Sequence, residues 1–149
     1  MKQYLAGKIR NVALAGHSSS GKTTLAEALL FKSGYSDRLG RVADGNTVCD
    51  FDPEEIRRKG SVSSTVAPFA WGSTKINLID TPGLFDFEGG MYEGVIAAES
   101  VLITVSARDG VEVGTEKAYQ LADRLGRAKM FFVTQMDICL LYTSPSPRD

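Results

Sequence analysis

The chain has 149 residues, of which 43% are hydrophobic and 23% charged, with a formal net charge of −1. That length suits one domain with a real core, the composition is that of an ordinary soluble globular protein, and the charge excludes a polyanion-binding surface spread over the whole chain. No run approaches the ~20 apolar residues of a membrane span, the first apolar run is too short for a signal peptide, and Cys49 and Cys139 form neither a disulfide framework nor a metal cluster, so the expectation is a cytoplasmic protein with no membrane partner.

Residues 12–15, Val-Ala-Leu-Ala, read as a buried strand, and residues 23–31 carry Leu25, Ala26, Ala28, Leu29 and Leu30 in a helical pattern. Between them Gly16-His17-Ser18-Ser19-Ser20-Gly21-Lys22-Thr23 fits G-x-x-x-x-G-K-[ST], the phosphate-binding P-loop, with Thr24 following. In that context backbone N–H groups converge on phosphate oxygens at a helix N-terminus. Lys22 is expected on the β- and γ-phosphates, and the Thr23 hydroxyl on Mg²⁺.

Residues 34–60 are rich in Gly, Asp and Arg with little periodicity, a long loop of the functional or mobile kind. Within it Asp52-Pro53-Glu54-Glu55 reads as a helix start, and Arg57-Arg58-Lys59 as a solvated face rather than an RNA contact. Residues 62–71 and 75–79 read as strands joined by a tight turn at Gly72-Ser73, an antiparallel hairpin. Residues 80–90 read as a loop, 91–99 as a helix, 101–105 as a buried strand, 114–125 as a helix with Ala118, Leu121, Ala122 and Leu125 on one face, and 130–133 as a short strand. The alternation predicts an α/β fold of the P-loop NTPase type: a mostly parallel sheet, helices on both faces and one antiparallel hairpin. Phe69, Trp71 and Phe85 are expected to pack in the core or against a mobile loop, with Phe131 and Phe132 as strand residues.

Two further motifs carry chemistry. Asp80-Thr81-Pro82-Gly83 closes an apolar strand, where an acid would hold Mg²⁺ through a water and the Gly83 N–H would sense a γ-phosphate; the same four residues are also plain turn chemistry. Thr134-Gln135-Met136-Asp137 follows the last strand, where G proteins place Asn-Lys-x-Asp. An Asp there accepts hydrogen bonds from guanine N1–H and the 2-amino group, so Asp137 would select GTP over ATP.

Residues 10–137 resemble the GTP-binding domain of translational GTPases, most of all elongation factor G and its paralogues. The resemblance is carried by Gly21-Lys22-Thr23-Thr24, by Asp80-Thr81-Pro82-Gly83 followed by Asp86-Phe87, and by residues 107–116, which match the family's Ser-Ala-x-x-Gly-Val-x-x-x-Thr-Glu. It implies GTP/GDP and Mg²⁺ as ligands, the ribosome as partner of the full-length factor, a monomer, and GTP hydrolysis coupled to tRNA–mRNA movement. Gly16 to Thr24, Asp80, Gly83, Thr134, Gln135 and Asp137 would bind nucleotide, with Lys22 and Gly83 acting on the reacting phosphate. His17 takes a backbone-anchoring role on this reading.

The chain departs from the family at three places. Val62 stands where the first switch has its Mg²⁺-binding Thr, leaving Ser61 or Ser63 as replacement ligand, with Ser61 preferred. Leu84 stands where a His orients the attacking water, and Ser19 where the P-loop has an Asp. Alternatives are therefore a nucleotide-binding switch module with little or no hydrolysis, a ribosome-protection GTPase of the same superfamily, and an ATP-dependent P-loop enzyme, against which Asp137 argues. Residues 138–149 lack domain-like patterning and resemble translated library adapter sequence or, otherwise, a disordered tail. The expected organisation is a GTP-binding domain over 1–137, without the family's last guanine-binding motif, and a non-native tail over 138–149.

Overall fold

A computed structural model describes residues 3–138; of the expected tail over 138–149, all but its first residue lies outside the described residues. Strand β1 (Ile9–Gly16) runs into helix α1 (Lys22–Lys32), followed by the short helix α2 (Pro53–Arg58), the hairpin β2 (Thr65–Trp71) and β3 (Thr74–Asp80), then α3 (Glu88–Ala97), β4 (Ser100–Ser106), α4 (Val113–Arg124) and β5 (Ala128–Thr134). The sheet order is β2-β3-β1-β4-β5. β3, β1, β4 and β5 are mutually parallel, and β2 pairs antiparallel with β3. The expected architecture is therefore the observed one.

Two cores explain why the helices sit on opposite faces. One combines α1 with the sheet through Leu14, Ala26, Leu30, Cys49, Ala67, Phe69 and Leu78. The other combines α3 and α4 with the sheet through Ala13, Ala15, Ile79, Met91, Val95, Val101, Ile103, Ala118, Leu121 and Ala122. Alternate residues of β1 thus feed different cores: Leu14 faces α1, while Ala13 and Ala15 face α3 and α4. All the parallel strands end at one edge of the sheet, and the chain leaves them there to build the site.

Three local expectations need correction. The second strand begins at Thr65, not at residue 62, because the Val62 and Ser63 amides donate to the Glu55 carboxylate instead of a strand neighbour. The third helix begins at Glu88 although Gly89-Gly90 read as loop. A Cβ at Gly90 would stand 2.8 Å from the Pro82 ring, so the glycine lets the first turn close over that proline. Trp71 is 55% exposed at the hairpin tip rather than packed. β5 is apolar yet exposed: Met130, Phe131, Phe132 and Val133 are each 42–66% accessible on the sheet's outer strand.

Leu30 is fully enclosed under the sheet. Leu30→Ala should lower unfolding free energy by ~2–5 kcal/mol, the cost of lost burial plus a cavity, measured by urea denaturation. Phe31→Ala, one position on and half exposed, should cost much less.

Candidate functional site

The loop between β1 and α1 turns because Gly16 takes φ +142° with its backbone against Thr104; a Cβ there would lie 2.7 Å from the Thr104 carbonyl oxygen. Ser20 is buried and tied to the His17 carbonyl at 2.8 Å and to the Thr104 hydroxyl at 2.6 Å. Lys22 lies inside the loop, donating from Nζ to the carbonyls of His17 (2.7 Å) and Gly16 (3.2 Å). Burial lowers its ammonium to a pKa of about 8, with Asp80 and Asp50 pulling the other way.

The end of β5 grips this loop from the other side. Thr134 donates to the Ser20 carbonyl at 2.7 Å, and the Gln135 amide nitrogen donates to the Ser19 carbonyl at 2.9 Å. Gln135 Oε1 accepts from Ser106 at 3.0 Å. The predicted motifs at Gly16–Thr24 and Thr134–Gln135 are thus brought together. Asp137 is exposed in the 3₁₀ turn Met136–Ile138 beyond them. His17 anchors as expected: its Nδ1 accepts from the Gly114 N–H at 3.3 Å, and its Nε2 stands 3.4 Å from Glu112.

At the other end of the site, the Thr23 hydroxyl donates to Asp80 Oδ2 at 2.7 Å and lies 3.1 Å from Ser61 Oγ, which donates to Asp50 Oδ1 at 2.6 Å. Each hydroxyl has one proton. With both directed at carboxylates, none remains for the contact between the two hydroxyl oxygens. Asp80 Oδ1 and Asp50 Oδ2 are buried without hydrogen-bond partners. Two hydroxyl oxygens and two orphaned carboxylate oxygens are the hard donor set that Mg²⁺ takes, so this corner fits that ion. Ser63 is not part of it; its amide and hydroxyl both go to Glu55.

Asp50 went unnoticed in the sequence, because a single Asp in an irregular loop carries no motif. The buried Glu27 was equally silent. It accepts from the Val48 N–H at 2.6 Å, and Gly40 lies so close that a Cβ would collide with its carboxylate. Cys49 stays inert, since burial and the surrounding carboxylates push its thiol far up.

Gly83 lies against the P-loop. A Cβ there would collide with Lys22 Nζ and come within 2.7 Å of the Ser18 nitrogen. Leu84 is 38% exposed. Both line a cavity of about 250 Å³ with Ser18, Ser19, Gly21 to Thr24, Val42, Asp50, Lys59 to Ser61 and Gln135. Phe85 packs edge-on to His17 at 5.7 Å, so that part of the packing expectation holds. Such a polar, cationic-floored cleft at a strand–helix junction suits an anionic phosphate chain.

Burial raises Asp80 to a pKa of about 7, against the Thr23 hydrogen bond and Lys22. A carboxyl raised in the folded state stabilises below its unfolded pKa near 4 and loses that contribution as pH rises toward 7. An ammonium lowered to about 8 has the opposite slope, its penalty lifting as pH rises from 8 toward 10. In EDTA, melting temperature should therefore pass through a minimum between pH 7 and 8. Asp80→Asn should lessen the fall on the acid side, leaving the part due to Asp50, which burial also raises, as read by differential scanning fluorimetry.

Residues 7–146 match the model of the elongation factor Tu GTP binding domain. The chain is 43% identical over 131 residues to an elongation factor G-like protein of Mycobacterium tuberculosis, aligning 88% of this chain and 18% of that one. It is 35% identical over 136 residues to the mitochondrial ribosome-releasing factor 2 of Drosophila melanogaster, aligning 91% of this chain and 18% of that one. A crystal structure from Thermus thermophilus superposes with a TM-score of 0.83 at 45% identity, covering 86% of this chain and 19% of that one. The chain thus spans less than a fifth of the length of these relatives. Among the described residues no helix is long and apolar enough to cross a membrane.

Proposed function

The chain belongs to the elongation factor Tu GTP-binding domain family, and on that premise we propose that it binds GTP and GDP with Mg²⁺ and hydrolyses GTP as the switch domain of a cytoplasmic, ribosome-associated, translocation-type elongation factor. The observation that supports this best is the Thr23–Asp80 hydrogen bond at 2.7 Å beside the buried, P-loop-bound Lys22. It joins the phosphate loop to a carboxylate at the neighbouring strand's end.

On this reading the amides of residues 18–24 cradle the phosphates, and Lys22 neutralises charge between the β- and γ-phosphates. Thr23, Ser61 and Asp80 hold Mg²⁺, with Asp50 beside them. The ion, when bound, offsets negative charge on the β- and γ-phosphoryl oxygens. The Gly83 N–H meets the γ-phosphate, and its lack of a side chain leaves room for that approach, since a Cβ would collide with Lys22. Thr134 and Gln135 brace the P-loop, and Asp137 accepts the guanine N1–H and 2-amino protons. Loss of the γ-phosphate releases residues 34–64 and 80–90, the two segments that meet at the cavity.

Leu84 favours a second reading, a nucleotide-binding module with little hydrolysis. It lines the cavity beside Gly83 and has no group to orient a water. Single-turnover GTP hydrolysis separates the two: turnover stimulated by ribosomes supports the elongation-factor reading, and its absence with nucleotide binding intact supports the module.

Lys22→Ala should abolish binding of fluorescent GDP and GTP, because the variant loses the buried cation at the floor of the loop. Leu84→His should raise the intrinsic hydrolysis rate by ~10²-fold, the scale of one positioned proton-handling group, in a phosphate-release assay. An unchanged rate would place water positioning on another residue.

A further inference from the structure

We propose that Glu55 is the positioning residue for the metal-facing hydroxyl of Ser61: a buried carboxylate clasp that fixes residues 61–63 so that Ser61, rather than Ser63, completes the cation corner. This rests on the Mg²⁺–GTP reading above.

Glu55 sits on a helix of only six residues, where a glutamate would ordinarily face solvent, yet it is 1% exposed. A buried carboxylate is tolerated when donors satisfy it, and here they come from the segment that follows. Oε1 accepts from the Val62 N–H at 3.0 Å, the Ser63 N–H at 3.2 Å and the Ser63 hydroxyl at 3.4 Å. Oε2 accepts from the Asp52 N–H at 3.2 Å, closing the capping box that holds α2 together. Lys59 then takes a left-handed conformation at φ +54°, and the Gly60 N–H bonds the Glu55 carbonyl at 3.1 Å. This reversal carries residues 61–63 back across the carboxylate.

Two consecutive amides on one oxygen fix the backbone register of the segment. The same contact takes up the Ser63 hydroxyl and leaves the Ser61 hydroxyl to Asp50 at 2.6 Å and Thr23 at 3.1 Å. Val62 has no polar side chain to contribute. The helix cap and the segment at the metal corner are therefore set by one side chain, and Glu27 secures the upstream end through the Val48 amide.

The test is a Mg²⁺ titration of the 149-residue protein with a fluorescent non-hydrolysable GTP analogue and, separately, fluorescent GDP. Glu55→Gln keeps the volume but replaces an acceptor oxygen with a donor NH₂. It should raise the Mg²⁺ concentration for half-maximal binding of the GTP analogue about fivefold, the equivalent of one hydrogen bond, and leave that for GDP unchanged. Ser61→Ala should reproduce the shift, Ser63→Ala should not, and E55Q combined with S61A should add nothing to S61A alone. Hydrogen exchange at the Val62 and Ser63 amides should quicken in E55Q. Equal weakening of both nucleotides, additive effects, or S63A behaving like S61A would overturn the clasp. Should E55Q fail to fold, Glu55→Asp, which withdraws the carboxylate by one methylene, is read by the same titration and exchange. Wild-type protein that binds no guanine nucleotide overturns the underlying reading; wild-type binding with S61A unaffected overturns the clasp alone.

Discussion

Burying Lys22 and Asp80 together at the carboxyl end of the sheet is the constraint on which the site depends. Neither charge is cheap to bury, and the mutual attraction does not fully offset desolvation, which is why Lys22 is lowered and Asp80 raised. The fold tolerates them by supplying partners from several elements: two P-loop carbonyls for Lys22 and the Thr23 hydroxyl for one Asp80 oxygen. The other Asp80 oxygen has none. A structure optimised for stability alone would place apolar residues here, so the arrangement makes sense as a site whose remaining partners are phosphate oxygens and a cation.

The same logic extends outward. Thr23 and Asp80 belong to α1 and β3, while Ser61 and Asp50 belong to the irregular segment between α1 and β2. That segment has few apolar anchors. Phe51, Ile56 and Val48 are largely exposed, and Cys49 is its main contribution to the core. It is held instead by buried carboxylates, Glu27 upstream and Glu55 downstream, accepting from its amides. Hydrogen bonds of this kind contribute modestly each but fix direction strongly. A segment secured by a few directional contacts is suited to rearrangement when the charge in the cleft changes, as nucleotide switches require.

What the sequence disclosed was the part written in periodicity and local motif. The sheet with helices on both faces followed from alternating apolar runs, and the P-loop from residue types whose backbone geometry is local. The anchoring of His17 and the packing of Phe85 were also legible. The missed features depend on distant partners. Glu55 reads as an ordinary helix-start acid, and nothing local reveals that it faces Val62 and Ser63. The three residues assigned to a strand before Thr65 have strand-like character, but the amides of Val62 and Ser63 are claimed by that carboxylate. Gly89-Gly90 looked like a breaker because the closeness of Pro82 is a tertiary fact. Trp71 looked like core because hydrophobicity alone does not tell a hairpin tip from a hairpin middle.

The central claim is that the Lys22–Thr23–Asp80 corner, with Asp137, forms a Mg²⁺-dependent guanine-nucleotide site. It is tested most directly by displacing fluorescent GDP from the protein with unlabelled GTP or ATP, in Mg²⁺ and again in EDTA. The account predicts ready displacement by GTP, about ten-thousandfold weaker displacement by ATP because the polar groups that read guanine are left unpaired, and markedly weaker retention of GDP in EDTA. Equal displacement by ATP and GTP, or binding indifferent to EDTA, would contradict it.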